Sequence, residues 1–140
     1  MKSGKLRYIV RDFPMERIHP QAFKAAEGAH CAGDQGKYWE MHLLLFTNQL
    51  ALGAADLPKH AGTLGLDLGK FKECLDKGIH ADQVRRDLAE GQKAGVRGTP
   101  TFFLGVIEDD SKIRVVQEFA GAHSLATFKA AIDAALARLK

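Results

Sequence analysis

The 140 residues carry a formal net charge of +3, from 20 basic and 17 acidic side chains, and their 46% hydrophobic content suits one globular domain with a sizeable core. The charges are spread along the whole length without a like-charged block, so nothing supports a nucleic-acid or membrane partner, and no run approaches the roughly eighteen apolar residues of a membrane span. Met1-Lys2-Ser3-Gly4-Lys5 leads into the chain without the apolar centre of a signal peptide, which leaves a cytosolic chain or a piece of a longer exported one. Two cysteines are too few to fix the compartment.

Leu6–Arg11 is rich in β-formers, with Leu6, Tyr8 and Val10 on one face and Asp12-Phe13-Pro14 as its stop, and reads as a strand over 5–12. A helical region follows over 20–94. Pro20 suits a first helical position, and the alanine-rich run to Ala32 favours helix until Gly33-Asp34-Gln35-Gly36 breaks it, a helix–helix turn without the Lys-Ser/Thr of a phosphate loop. The next helix is expected from Lys37 to about Leu52, where Tyr38, Met41, Leu45 and Leu52 recur at helical spacing. Tyr38 and Trp39, beside Met41 and Phe46, are placed with that buried stripe, a peptide groove at the base of the helical region being the other reading. A short helix is expected from Asp56 to Leu64, then one N-capped by Asp67 that carries Leu68, Phe71, Cys74 and Leu75 and ends at Gly78. His80 to Ala94 reads as an amphipathic helix on Val84 and Leu88.

Thr101–Val106 and Ile113–Phe119 are β-rich runs on either side of Glu108-Asp109-Asp110-Ser111-Lys112, turn chemistry that implies an antiparallel hairpin over 101–119. Ser124 is an N-cap for a last helix over 124–139, its stripe formed by Leu125, Phe128, Ile132, Leu136 and Leu139.

Three stretches resemble one family. They are Arg7-Tyr8-Ile9-Val10-Arg11-Asp12-Phe13-Pro14 with His19-Pro20-Gln21-Ala22, Ala29-His30-Cys31-Ala32-Gly33-Asp34-Gln35-Gly36-Lys37-Tyr38-Trp39, and Ala94 through Gly105. Together they resemble the disulfide oxidoreductases related to the bacterial periplasmic disulfide oxidase, DsbA-like proteins with a thioredoxin fold and a helical insertion. The resemblance implies an α/β fold: an incomplete thioredoxin-like sheet of about three strands, with the insertion between the first strand and the C-terminal hairpin. Family members carry two further strands and a helix ahead of the first strand, and their Cys-x-x-Cys lies there; this sequence contains none.

In the family the strand that leads into the active site lies between the counterparts of Leu6–Arg11 and Thr101–Val106. Its omission implies two exposed strand edges, which recruit another chain. The expected partner is a second copy, as a homodimer through the edges, or a separate segment that supplies the Cys-x-x-Cys; direct antiparallel pairing of Leu6–Arg11 with Thr101–Val106 is the other way to close the gap.

The resemblance also implies a cis Thr99–Pro100 peptide, with the Thr99 backbone exposed to an extended peptide and Arg97, Gly98, Thr99 and Pro100 as the peptide-binding loop. A plain helix-to-strand connection is the structural alternative. Cys31 and Cys74 are open to three readings: structural disulfide, buried thiols or redox pair. Cys31 falls near the negative end of its helix and Cys74 inside another, and neither position stabilises a thiolate. The resemblance favours the disulfide, since some family members carry a non-catalytic one in the insertion. No catalytic residue and no cofactor are expected, and the six histidines match no metal motif. The sequence is thus expected to encode a non-catalytic DsbA-like binding module, with a thiol:disulfide oxidoreductase as the alternative, either through a supplied Cys-x-x-Cys or through Cys31 and Cys74.

Overall fold

The structure, a computed structural model, describes residues 4–108 and 112–139. The elements run α1 (Ala22–Gly33), α2 (Tyr38–Thr47), α3 (Leu57–Thr63), α4 (Leu68–Asp76), α5 (Ala81–Lys93), β1 (Thr101–Ile107), β2 (Ile113–Ala120) and α6 (Leu125–Ala137). The chain divides into two compact units, one ending at Ala94 and the other starting at Gly95.

The first unit holds the five helices. Its core is built from Ala25, Ala29, Cys31 and Ala32 of α1, Met41 and Leu45 of α2, Leu57 and Ala61 of α3, and Phe71 and Leu75 of α4. The small residues of α1 let the neighbouring helices approach it closely. Local signals set the ends of α4: the Asp67 carboxylate accepts from the Lys70 N–H at 3.0 Å, and Gly78 follows in the left-handed region at φ 59°. Helix α2 is shorter than expected. Thr47 Oγ1–H donates to the Leu43 and Leu44 carbonyls and the Asn48 amide donates to Leu44 O, so side chains take acceptors that another helical turn would have used.

Residues 5–12 form no strand. A strand exists only through a ladder, and among the described residues the one sheet pairs β1 with β2 alone. Side chains hold the segment instead. Tyr8 stacks on Trp39 with ring centroids 5.8 Å apart. Arg11 donates to Asp87 at 2.8 Å, and the Asp12 N–H donates to the other oxygen of Asp87. Phe13 lies against α5 at Gly91, where a Cβ would stand 2.7 Å from its ring, so this approach requires glycine. Trp39 and Phe46 likewise leave the expected core, being 51% and 62% exposed. Helix α2 is apolar around most of its circumference, and only Met41 and Leu45 are buried.

In the second unit β1 and β2 form the expected antiparallel hairpin, with Thr101 opposite Ala120 and Ile107 opposite Ile113. The register shifts between Leu104 and Gly105, where the backbone packs against Ile113 and Arg114 too closely for a side chain. The Glu108 N–H donates to the Lys112 carbonyl at 2.9 Å; Asp109, Asp110 and Ser111 of the expected turn lie outside the described residues. Ser124 caps α6 as expected, accepting from the Thr127 N–H. Phe128 of α6 packs against Phe102 and Phe119, at centroid distances of 4.8 and 5.0 Å. The rest of the stripe is less covered than its pattern implies: Leu125 is 84% exposed, and no described residue of α6 is fully buried. A two-stranded sheet offers little surface to a helix of this length.

Candidate functional site

The proline loop enters the second unit through Gly95, at φ 86°, and reaches a cis Thr99–Pro100 peptide. Two hydrogen bonds brace it. Thr101 Oγ1–H donates to the Gly98 carbonyl at 2.8 Å, and the Gly121 N–H donates to the Pro100 carbonyl at 2.8 Å, which ties the loop to the end of β2. Among the described residues the Thr99 backbone makes no hydrogen bond, and the edge of β1 away from β2 carries no ladder. A cavity of about 270 Å³ opens here, lined by Arg97, Gly98, Thr99, Pro100, Glu118 and Gly121 among others. The four residues expected to bind peptide therefore share one concave surface, with unpaired backbone beside it and one charge of each sign in its wall.

In the first unit Cys31 and Cys74 form a disulfide between α1 and α4 that encloses a sequence separation of 43, and no free cysteine remains. The pairing is the one that the resemblance favoured. Polar groups gather around it. The ring N–H of His80, at the N-terminal end of α5, donates to Asp34 Oδ2 at 2.8 Å, and the same carboxylate oxygen lies 3.7 Å from Cys74 Sγ. His80 stacks on His30 at 5.4 Å, and His30 donates to Asp12 at 2.6 Å. Tyr38 lies against His30, and its phenol is pushed up to about 12, chiefly by burial and then by Asp12 and Asp87.

Two histidines here titrate in opposite directions. The hydrogen bond to Asp12 raises His30 above its ordinary 6.5 and outweighs its partial burial, while burial lowers His42 below 6.5. Because the fold favours protonated His30, its contribution to stability is present in full below 6.5 and is lost as pH rises through its folded value. The contribution of neutral His42 is present above 6.5 and is lost as pH falls through its folded value. NMR titration of the imidazoles is expected to find His30 titrating above His42. His30→Gln is expected to flatten the fall in stability on the alkaline side alone; the reverse order of titration would overturn the assignment.

A family model described as thioredoxin matches residues 1–134. The chain belongs to the thioredoxin family. This thioredoxin-family chain is 44% identical over 99 residues to a protein of Salinispora arenicola named Na(+)/H(+) antiporter NhaA 1, a match that covers 71% of the chain and 15% of that relative. It is 42% identical over 99 residues to Na(+)/H(+) antiporter NhaA 3 of Salinispora tropica, with the same coverage. A Mycobacterium sp. protein named Na(+)/H(+) antiporter NhaA 1 is 38% identical over 103 residues, covering 71% of the chain and 16% of the relative. The chain spans about a sixth of the length of these curated relatives. No solved structure matches it.

The loop of this thioredoxin-family chain could be found from sequence because its residues are contiguous. The group around the disulfide could not: Asp12 precedes the helices, His30 and Asp34 lie at the end of α1, and His80 and Asp87 lie at the head of α5 and within it, so that the group is gathered from stretches far apart in sequence. The faint signal was spacing, since Asp34 stands one helical turn after Cys31 and His80 one short turn beyond Cys74.

Proposed function

We propose that this chain is a non-catalytic, DsbA-like polypeptide-binding module that accepts an extended strand along β1 and the Thr99–Pro100 loop. The observation that carries the reading is the unpaired Thr99 backbone and β1 edge, continuous with the cavity of Arg97, Gly98, Thr99 and Pro100. A strand added there gains main-chain hydrogen bonds as its source of affinity and pocket contacts as its source of selectivity. Thiol exchange needs an exposed thiolate, and the only two cysteines are joined to each other. The relatives support an accessory role. The matched stretch is a minor part of proteins named as antiporters, and among the described residues no helix is long and apolar enough to cross a membrane.

The strand could come from a second copy, which makes a homodimer, or from a segment that carries a Cys-x-x-Cys, which makes a split thiol:disulfide oxidoreductase. The unladdered stretch at 6–11 favours the second source, since it is a further segment of β-formers without a neighbouring strand. A blocked peptide of alternating valine and threonine, added to isotopically labelled chain, is expected to shift the amides of Thr99 and Phe102–Leu104. Unmoved amides, in a chain that light scattering finds strictly monomeric, would sink the reading. Disulfide formation in a reduced model peptide is expected to be absent with the chain alone. Its appearance only when a Cys-x-x-Cys segment is added would identify the split enzyme.

A further inference from the structure

The disulfide sits among four potential metal donors. Sγ of Cys31, Sγ of Cys74 and a ring nitrogen of His80 lie within 4.8 Å of one another. Asp34 Oδ2 adds a fourth atom, 3.7 Å from Cys74 Sγ and 2.8 Å from His80 Nε2. In a tetrahedral zinc site with bonds of about 2.0–2.3 Å, neighbouring donor atoms stand roughly 3.3–3.8 Å apart; the Asp34–Cys74 separation already lies in that range, whereas the hydrogen-bonded His80–Asp34 pair and the two bonded sulfurs have to part to reach it. The shared sulfur–sulfur bond is what prevents the set from closing on an ion.

We propose that reduction of Cys31–Cys74 converts this corner of the first unit into a Zn²⁺ site whose ligands are Cys31, Cys74, His80 and Asp34. The placement is built into regular structure. Cys31 and Asp34 lie one turn apart at the end of α1, Cys74 is in α4, and His80 heads α5 after the short turn closed by the Ile79 N–H on the Cys74 carbonyl. His80 is further held by its stack on His30. Two thiolates with an imidazole form a borderline-soft set that selects zinc over calcium or magnesium, and a carboxylate is an accepted fourth ligand. Three anionic ligands around a divalent ion leave a net charge of −1. Without the ion the same three anions would repel one another.

The redox step needs a dithiol reductant. Its thiolate attacks Cys74 Sγ, the half-buried sulfur, and the sulfur–sulfur bond breaks with its electron pair going to Cys31. The second thiol of the reductant resolves the mixed disulfide. The reductant leaves as a disulfide, having supplied two electrons and two protons, and Cys31 and Cys74 become thiols. Binding of Zn²⁺ then releases those two protons.

The test uses the full chain and Co²⁺ alone as a spectroscopic substitute for zinc. After anaerobic reduction and removal of reductant, one equivalent of Co²⁺ is expected to give tetrahedral ligand-field bands and thiolate-to-cobalt charge transfer, both displaced by Zn²⁺. The oxidised chain is expected to give neither. His80→Ala and Asp34→Asn retain the disulfide and can be purified oxidised. In the reduced state His80→Ala is expected to weaken binding by about a hundredfold or more, given that losing even an outer-shell partner costs roughly 10–100-fold. Reduced wild-type chain without the bands, or bands unchanged in both variants, would overturn the site. If reduction unfolds the first unit, helicity by far-UV circular dichroism decides: recovery on adding Zn²⁺ supports the proposal, and failure to recover overturns it.

Discussion

Replacing both Cys31 and Cys74 by alanine is expected to destabilise the first unit by about 4 kcal/mol, the chain-entropy value for a loop closed across a sequence separation of 43. The bond joins α1 to α4, and Cys31 is 1% exposed, so its surroundings are already packed when the cross-link is removed. Most of the loss is therefore expected to come from the freed unfolded chain rather than from altered native contacts. For a unit of this size it corresponds to a fall in melting temperature on the order of 20 °C. Thermal unfolding followed by far-UV circular dichroism, with wild type and variant compared in the absence of metal, checks it. A fall of only a few degrees would mean that other contacts restrain the same loop in the unfolded chain. Single Cys→Ala variants separate packing from cross-linking: each loses the bond, but only Cys31→Ala also empties a fully buried position.

The features that were legible in the sequence are those whose cause is local. Asp67 and Ser124 cap their helices through their own side chains, and the hairpin strands flank a turn whose chemistry lies within a few residues. The expected strand at 5–12 depended on a neighbour elsewhere, and β-propensity says nothing about whether that neighbour is present. The inward face of α2 was ambiguous for a different reason. With Tyr38, Trp39, Met41, Leu43, Leu44, Leu45 and Phe46 all apolar, a period of 3.6 fits several faces, and only packing against α1 and α3 selects Met41 and Leu45. Charge misleads in a similar way. Glu27 and Asp87 look like solvent residues, yet both are buried, because Lys24 and Arg11 reach them from more exposed positions. The site divides along the same line: the proline loop is one contiguous segment, whereas the cluster of Asp12, His30, Asp34 and His80 around the disulfide exists only after α1, α4, α5 and the segment before α1 have assembled.

Phe71→Ala is the other large effect, with an expected cost of about 3–5 kcal/mol. The Phe71 side chain is 0% exposed, and its ring tip lies 3.8 Å from where a Cβ on Gly28 would stand, with Leu57 beside it at 3.6 Å. The ring thus fills the space between α1, α3 and α4 beside Gly28, at ordinary packing distance from that backbone. Alanine cannot fill it, and the three backbones are held by their own packing, so a cavity remains. Phe71→Leu, which keeps most of the volume, is expected to cost less than the alanine variant, and chemical denaturation of the two separates cavity from shape. Phe71 stands one helical turn before Cys74, so both anchor α4 to α1, and their losses fall on one interface. Their plain sum is about 7–9 kcal/mol, which coupling between neighbours shifts by roughly 0.5–3 kcal/mol and which falls within the roughly 5–15 kcal/mol that a whole domain has to lose. The oxidised Phe71→Ala chain is therefore expected to be folded at room temperature, and to lose most of its helical circular dichroism when the disulfide is reduced without metal. Retained helicity in that state would show that α4 is held by something other than these two anchors.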